Sequence, residues 1–552
     1  MIGGKRPTYP GGDEVSPASK SNYTTAVTEE PSSSERTPLL SRSSYHNIDL
    51  NPRHRLLKSP SSILFIIFLV VLLASFGGQL LEAPFIRILE SVICYQYYED
   101  VDPSKINLDR SHVGPGAIGG VDEMYCKVDK VQDDLAMLSG IQGFLDGFPA
   151  LALAIPFGWA ADRYGRWPFL MLGVLQIAAR TVWIQLVAWY WESLDIRAIW
   201  FQSVFSVLGG GTTTTAALFF VTISDVTTES DRAGAFLRLG AANLSANLFM
   251  PPIAAWLMAI NPWIPALMGT GFTCVAAILY LFVPETLDYF ARANPPTIID
   301  DPHTTTPDLN PLRPSTPTTL AARIKAVLTS VKSALAFLHR DWRVPALILP
   351  FTVHVLIASS GPLLIQYVSK RYALTFSKAT LLTTVKNGVQ VALLFIILPK
   401  ISVLVMTRFG LSIQKKDLYL ARLSQCLVAI GWLGVAAAPN VVLVVLALAV
   451  SSLGYGAMLL LRSFMTSLVP AHEVARTYSV IGIVDTLGIM FGSPLLADLF
   501  KRGMELGGPF VGLPYYLIGG LSVLFALLMF AVRLRKGEGE EQSMLDDGDE
   551  QR

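Results

Sequence analysis

Charge is scarce in this chain. Asp, Glu, Lys and Arg make up 15% of its 552 residues, against 52% hydrophobic. A soluble domain usually carries about 25% charged residues, so the shortfall argues against a water-facing fold. Its 43 basic and 42 acidic residues leave a formal charge of +1. Without a basic excess, no nucleic-acid partner is expected. Cysteine is equally sparse. Four residues are too few for a disulfide scaffold, and no CxxC or His-rich spacing proposes a metal or cofactor site. An apolar h-region is missing from the N-terminus, so no cleaved signal peptide is expected.

Long apolar runs are what the chain does have. Each is about 20 residues, enough to cross a hydrocarbon core of roughly 30 Å as a helix. Twelve spans are expected, near 62–86, 135–158, 168–190, 198–223, 233–258, 263–284, 344–366, 378–406, 417–437, 441–468, 476–499 and 511–533. They divide the chain into a first six-helix bundle (61–285), a linker (286–342) and a second six-helix bundle (343–533). Residues 1–60 are rich in Ser, Pro, Thr and Gly without aliphatic periodicity, the composition of a disordered tail. An acidic tail, 534–552, closes the chain.

The linker starts Pro-rich. It then places Leu320, Ile324, Val327, Leu328, Val331, Leu335 and Leu338 on one helical face. An interfacial helix and a linker helix packed on the spans both fit that pattern. Even parity puts both tails on one side, with Arg163, Arg166, Arg232, Arg323, Lys325, Lys332, Lys415, Lys416 and Arg476 in the connections sharing it. The loop after span 1 is acidic instead, so the basic side, with both tails, is expected to be cytoplasmic.

Six plus six spans is a transporter-like plan, and one loop narrows it. "GWAADRYGRW" (158–167) joins spans 2 and 3. Its Gly158, Asp162, Arg163, Gly165 and Arg166 resemble the loop 2–3 signature of the major facilitator superfamily. "APFIRILESVICYQYY", "YCKVDKVQDDLAMLSG", "ISDVTTESDRAGAF" and "VPETL" resemble its fungal members related to tetracycline-efflux and proton-coupled folate carriers. The resemblance implies an all-α membrane protein of twelve helices in two bundles that rock about a central site. It also implies that Asp162 and Arg166 exchange ion pairs with nearby helix ends, Asp225 among the partners. The sequence departs from the family pattern at several points. Trp167 stands where a base is usual, loop 8–9 offers Arg408 and Gly410 without an acid, and the span 4 arginine is missing. "GAANLSANLFMPP" in span 5 lacks the paired glycines of antiporters.

Ionisable residues at membrane depth are expensive and are functional candidates by default. Asp146 lies 12 residues before Gly158, roughly 18 Å into the bilayer. It is a candidate proton carrier or the partner of a structural arginine. Arg180 in span 3 suits either that pairing or an anionic substrate. Asp485 in span 11 is the candidate counterpart of Asp146, and His354 in span 7 is either a titrating group or a helix-to-helix hydrogen bond. Lys386 and Gln390 in span 8 are candidate substrate residues. Glu82, a further candidate for proton coupling, forms a group with Arg87 and Glu90 near the outer end of span 1, either an outer gate or a solvated helix end. Trp183 and Tyr367 suit a ring-bearing substrate or ordinary packing. Arg238, Arg422 and Arg462 are expected to snorkel.

Cys94 and Cys126 both face the oxidising side and are expected to form a disulfide. In the first tail, "ERTPLL" fits the acidic dileucine pattern through Glu35, Leu39 and Leu40, which a sorting adaptor would read. The expected protein is a monomeric, multi-pass carrier of the plasma or vacuolar membrane. It couples protons to export of a small organic compound such as a drug or secondary metabolite. Proton-coupled uptake or vacuolar exchange of an organic anion or nutrient is the alternative. A non-transporting nutrient sensor lacks a long signalling tail here, and a membrane enzyme lacks any nucleophile–base or metal constellation.

Overall fold

The computed structural model describes residues 60–106, 113–287, 342–409, 413–468 and 471–532. All lie in the second of the chain's two units, Arg53–Arg552. The first tail with Glu35, Leu39 and Leu40, the 286–342 linker helix, Gly410 and the acidic tail lie outside the described residues.

Among the described residues eleven helices are long and apolar enough to cross a membrane, and a bent pair, taken as one span, makes a twelfth. Spans 1 to 6 are Pro60–Val101, Asp129–Tyr164, Arg166–Trp189, Ile196–Val226, Glu229–Ile260 and Trp263–Tyr280. Span 7 is Arg343–Ser359 followed by Gly361–Arg371, bent by 57°. Spans 8 to 12 are Phe376–Arg408, Ile413–Ala437, Val441–Met465, Ala471–Leu506 and Leu513–Ala531.

Span 1 runs well past its expected end near 86. Its extension carries Arg87 and Glu90, which interrupt the apolar pattern, yet both are buried. Protein covers this stretch, so it need not be lipid-compatible. Span 5 holds Pro251 and Pro252. Proline has no N–H, and Pro251 therefore leaves the Asn247 carbonyl without its helical donor. Asn387 of span 8 supplies the missing donor, its amide 2.7 Å from that oxygen. The proline turns a backbone oxygen of the first half into an anchor for the second.

Packing differs between the two ends. At the end that carries the Cys94–Cys126 disulfide, one apolar core runs through both halves, with Val92 and Leu135 beside Tyr367, Phe376, Phe500 and Tyr515. At the opposite end two separate cores form. One joins Ile63, Leu170, Phe219 and Tyr280 of the first half; the other joins Leu347, Leu418, Phe464 and Met529 of the second. Span 2 meets span 11 most closely where Gly140, Gly143 and Gly147 oppose Ala497, Ser493 and Met490.

Candidate functional site

A cavity of about 300 Å³ lies at the seam of the halves, at the lower end of the size range of small-molecule sites. Span 1 gives it Glu82, span 5 Asn247, span 7 His354, span 8 Lys386 and Gln390, span 9 Trp432 and span 10 Tyr455. Glu82 and Lys386 each lie in the other's field. They stay more than 4 Å apart, and neither head group is hydrogen-bonded to another described residue. Glu82 seats its carboxylate where Gly361 opens the break of span 7: a Cβ there would stand 3.0 Å from Oε1. The carboxylate therefore lies at the start of helix Gly361–Arg371, where the helix dipole favours an anion. Trp432 is held in place by stacking on Tyr515, with ring centroids 5.4 Å apart and planes 13° apart.

Of the expected site residues, Glu82, His354, Lys386 and Gln390 meet in this cavity. Asp146, Arg180, Trp183 and Asp485 are not among the residues lining it. Asp146 is paired with Arg180 inside the first half. Ser203 donates to its other oxygen at 2.7 Å, Gln142 donates to Ser203 at 2.8 Å, and Arg180 also donates to Ser206 at 3.1 Å. This network absorbs both charges, so the pair holds spans 2, 3 and 4 together. Trp183 donates its indole N–H to the Ala198 carbonyl at 2.9 Å and packs beside Phe205, contacts that fit the packing alternative. Tyr367 is fully buried and donates to the Val435 carbonyl at 3.0 Å; its role is packing.

Asp485 faces Arg462 at 3.9 Å, and the guanidinium sits 5.4 Å over the Phe351 ring. His354 lies 5.6 Å from the Tyr455 ring. Arg422 does not snorkel. It is buried and donates to the Met529 and Val532 carbonyls at 3.1 and 2.5 Å, closing the open end of span 12.

The loop 2–3 motif forms a compact network. Arg166 pairs with Asp162 and, at 3.2 Å, with Asp225. Arg163 stands over Trp159 and Tyr164, and Gly158 lies within span 2. Gly165 has φ +114°, a conformation that favours glycine. It turns the chain so that the first two N–H groups of span 3 point at Glu285. That carboxylate accepts Arg166 N–H at 2.8 Å and Trp167 N–H at 3.1 Å, a helix N-terminus satisfied by an anion. Sequence reasoning quoted "VPETL" and left Glu285 without a role.

At the opposite end the structure separates Glu82 from Arg87 and Glu90. Those two join a buried network that sequence reasoning did not assemble. Glu90, 0% exposed, accepts from Lys127 at 2.8 Å and Gln132 at 2.6 Å, with Arg87 at 3.4 Å. Cys126, bonded to Cys94, sets Lys127 beside it. Several contacts of this end cross to the second half, among them Gln366 donating to the Gln132 carbonyl at 2.6 Å. Lys127 lies 3.8 Å over the Phe376 ring, Glu123 accepts Phe376 N–H at 2.6 Å, Lys370 meets Asp129 at 2.6 Å, and Lys501 meets Asp133 at 3.0 Å. Asn247, Asn387 and Trp432 were also missed. For the two asparagines the available signal was an amide at membrane depth, which is costly when unpaired.

Comparison with known proteins bears on the whole arrangement. A family model described as the Major Facilitator Superfamily matches residues 131–493. The MFS-type transporter aprT of Aspergillus flavus is 30% identical over 471 residues, 85% of this chain and 88% of its own. The MFS efflux pump atnC of Emericella nidulans is 30% identical over 469 residues, 84% and 86% of the two chains. Among solved structures, the human organic anion transporter MFSD10 (TETRAN) matches with TM-score 0.52 at 14% identity, over 85% of this chain and 99% of that one. A D-xylose-proton symporter gives TM-score 0.53 at 14% identity, over 86% and 99%. At these identities the solved structures speak for the fold alone.

Proposed function

The chain belongs to the major facilitator superfamily, and from that premise we propose that it exports a small organic compound in exchange for protons. The observation that carries the reading is the seam cavity with Glu82 and Lys386 facing it unpaired. Similarity to efflux pumps such as atnC favours export over uptake. One core shared at the disulfide end and two separate cores at the other suit halves that rock about that seam. The state described is closed at the disulfide end, so its cavity exchanges with the side carrying the basic loops. By the charge bias that side is the cytoplasm, with both tails there.

Glu82 is the proton carrier in this reading. Asp146 is already neutralised by Arg180 and Ser203, and Asp485 has Arg462 beside it. A carboxylate facing the cavity meets protons from one side and substrate from the other as the halves rock. The membrane is the plasma or the vacuolar one, and Glu35, Leu39 and Leu40 would route the chain to the latter.

The test is flux through purified protein in proteoliposomes, against a panel of small organic compounds, with and without an imposed pH gradient. Gradient-driven accumulation is expected to vanish in Glu82→Gln while downhill exchange persists. Flux indifferent to the gradient in the unmodified protein would overturn the coupling. Full accumulation by Glu82→Gln would move the proton elsewhere.

A further inference from the structure

We infer that the cavity is built for a zwitterion, a small molecule that presents a carboxylate to Lys386 and an ammonium to Glu82. This rests on the seam cavity being the substrate site. The two charges fail to neutralise each other directly. Opposite charges in a low-dielectric interior attract strongly, and an unpaired one there is costly. Closing on each other would relieve both. They remain apart, facing one cavity, without a hydrogen bond to any other described residue.

Backbone features hold each in place. Glu82 is seated against Gly361 at the break of span 7. Span 8 is tied at Asn387, the neighbour of Lys386, to the carbonyl that Pro251 frees. The gap between the charges is therefore part of the fold.

Charge balance then selects the occupant. Exchange requires the loaded site to have released its proton, and with Glu82 ionised a monoanion would satisfy Lys386 and leave Glu82 uncompensated; a monocation would do the reverse. Only a ligand bearing both signs neutralises both walls. The cavity volume of about 300 Å³ suits a body of amino-acid to dipeptide size. The amides of Gln390 and Gln425 and the Trp432 indole line it and offer hydrogen bonds and an apolar face.

The same geometry explains exchange. A proton and an ammonium compete for one carboxylate. Proton-loaded, the site holds neutral Glu82 and cationic Lys386. When the zwitterion enters, the Glu82 proton leaves to cytoplasmic water and the ammonium takes its place. The loaded site is then neutral. Each turn moves one proton inward per zwitterion outward, with one positive charge carried inward.

The experiment uses the full chain in nanodiscs and three probes: phenylalanyl-alanine, its N-acetyl form (an anion) and its C-terminal amide (a cation). Binding is read by calorimetry. The free dipeptide is expected to bind at least about tenfold more tightly than either blocked form, the effect of one charge-assisted contact. Lys386→Gln should erase the difference between dipeptide and amide, and Glu82→Gln that between dipeptide and N-acetyl form. Lys386→Arg should keep the preference, which separates loss of charge from loss of fold. Blocked forms binding as tightly as the free dipeptide, or no binding by any of the three, would overturn the inference. If the binding pattern holds but the dipeptide ignores a pH gradient in proteoliposomes, exchange-driven export fails and the zwitterion site stands. If the gradient drives blocked and free forms equally, the reverse is true.

Discussion

A carboxylate beside a guanidinium at membrane depth can serve chemistry or architecture, and its remaining hydrogen bonds show which. Asp146 spends one oxygen on Arg180 and the other on Ser203, and their side chains are only 24% and 16% exposed. Removing one partner of such a pair leaves the other charge with nothing in return. Asp146→Asn is expected to cost about 2 kcal/mol or more, read as a lower melting temperature in detergent. Adding Arg180→Gln should recover part of the loss, and the folded fraction should keep its proton-driven flux. Lost coupling in well-folded Asp146→Asn would return the proton to this pair. The residue types were legible in the sequence; which acid is paired and which faces the cavity was not. Asp146 read as an acid at mid-depth and Glu82 as one near the outer end of span 1, and only their neighbours on other spans show which is paired.

At the scale of helices, span 2 presents Gly140, Gly143 and Gly147 to span 11. A Cβ on Gly143 would lie 2.6 Å from Ser493, so a larger side chain must push the helices apart. Overpacking of this kind costs roughly 1–3 kcal/mol, and each 1.4 kcal/mol shifts a two-state population about tenfold. Gly143→Leu is expected to disfavour closure at the disulfide end. In that background a cysteine placed at Gln366, buried at this end, should react faster with an impermeant maleimide. An unchanged rate would mean that the glycines serve only packing within one state. The expected spans align with helices because apolar length is a local property. Their breaks at span 7 and their overrun at span 1 escaped, since both depend on what packs against the backbone. The GxxxG of Gly143 and Gly147 was visible, but its partner span was not.

The whole molecule is held asymmetrically, by one core through both halves at one end and by separate cores at the other. The Cys94–Cys126 bond closes a separation of 32 residues and places Lys127 against Glu90 and Phe376. A cross-link of that span stabilises by about 4 kcal/mol in the loop-entropy relation. Cys94→Ser should lower the melting temperature accordingly. Reductant should do the same to the unmodified protein and nothing further to the variant. A melting temperature insensitive to both would show that the charge network holds this end unaided.

Composition and apolar length alone determined that this chain is a twelve-span membrane protein, because a lipid interior constrains each span independently of the others. The resemblance of the loop 2–3 stretch to the family signature also implied its network in advance, and Arg166 pairs with Asp162 and Asp225. Tertiary structure decided where the proposed cargo site lies. Lys386 and Glu82 are separated by some three hundred residues of sequence, and their meeting in one cavity depends on the break of span 7 and the crossing of spans 5 and 8. Glu285 and the Glu90–Lys127 network belong to the same class. A charge declares its cost wherever it stands in the sequence, but its partner is chosen by the packing of helices that the sequence keeps far apart.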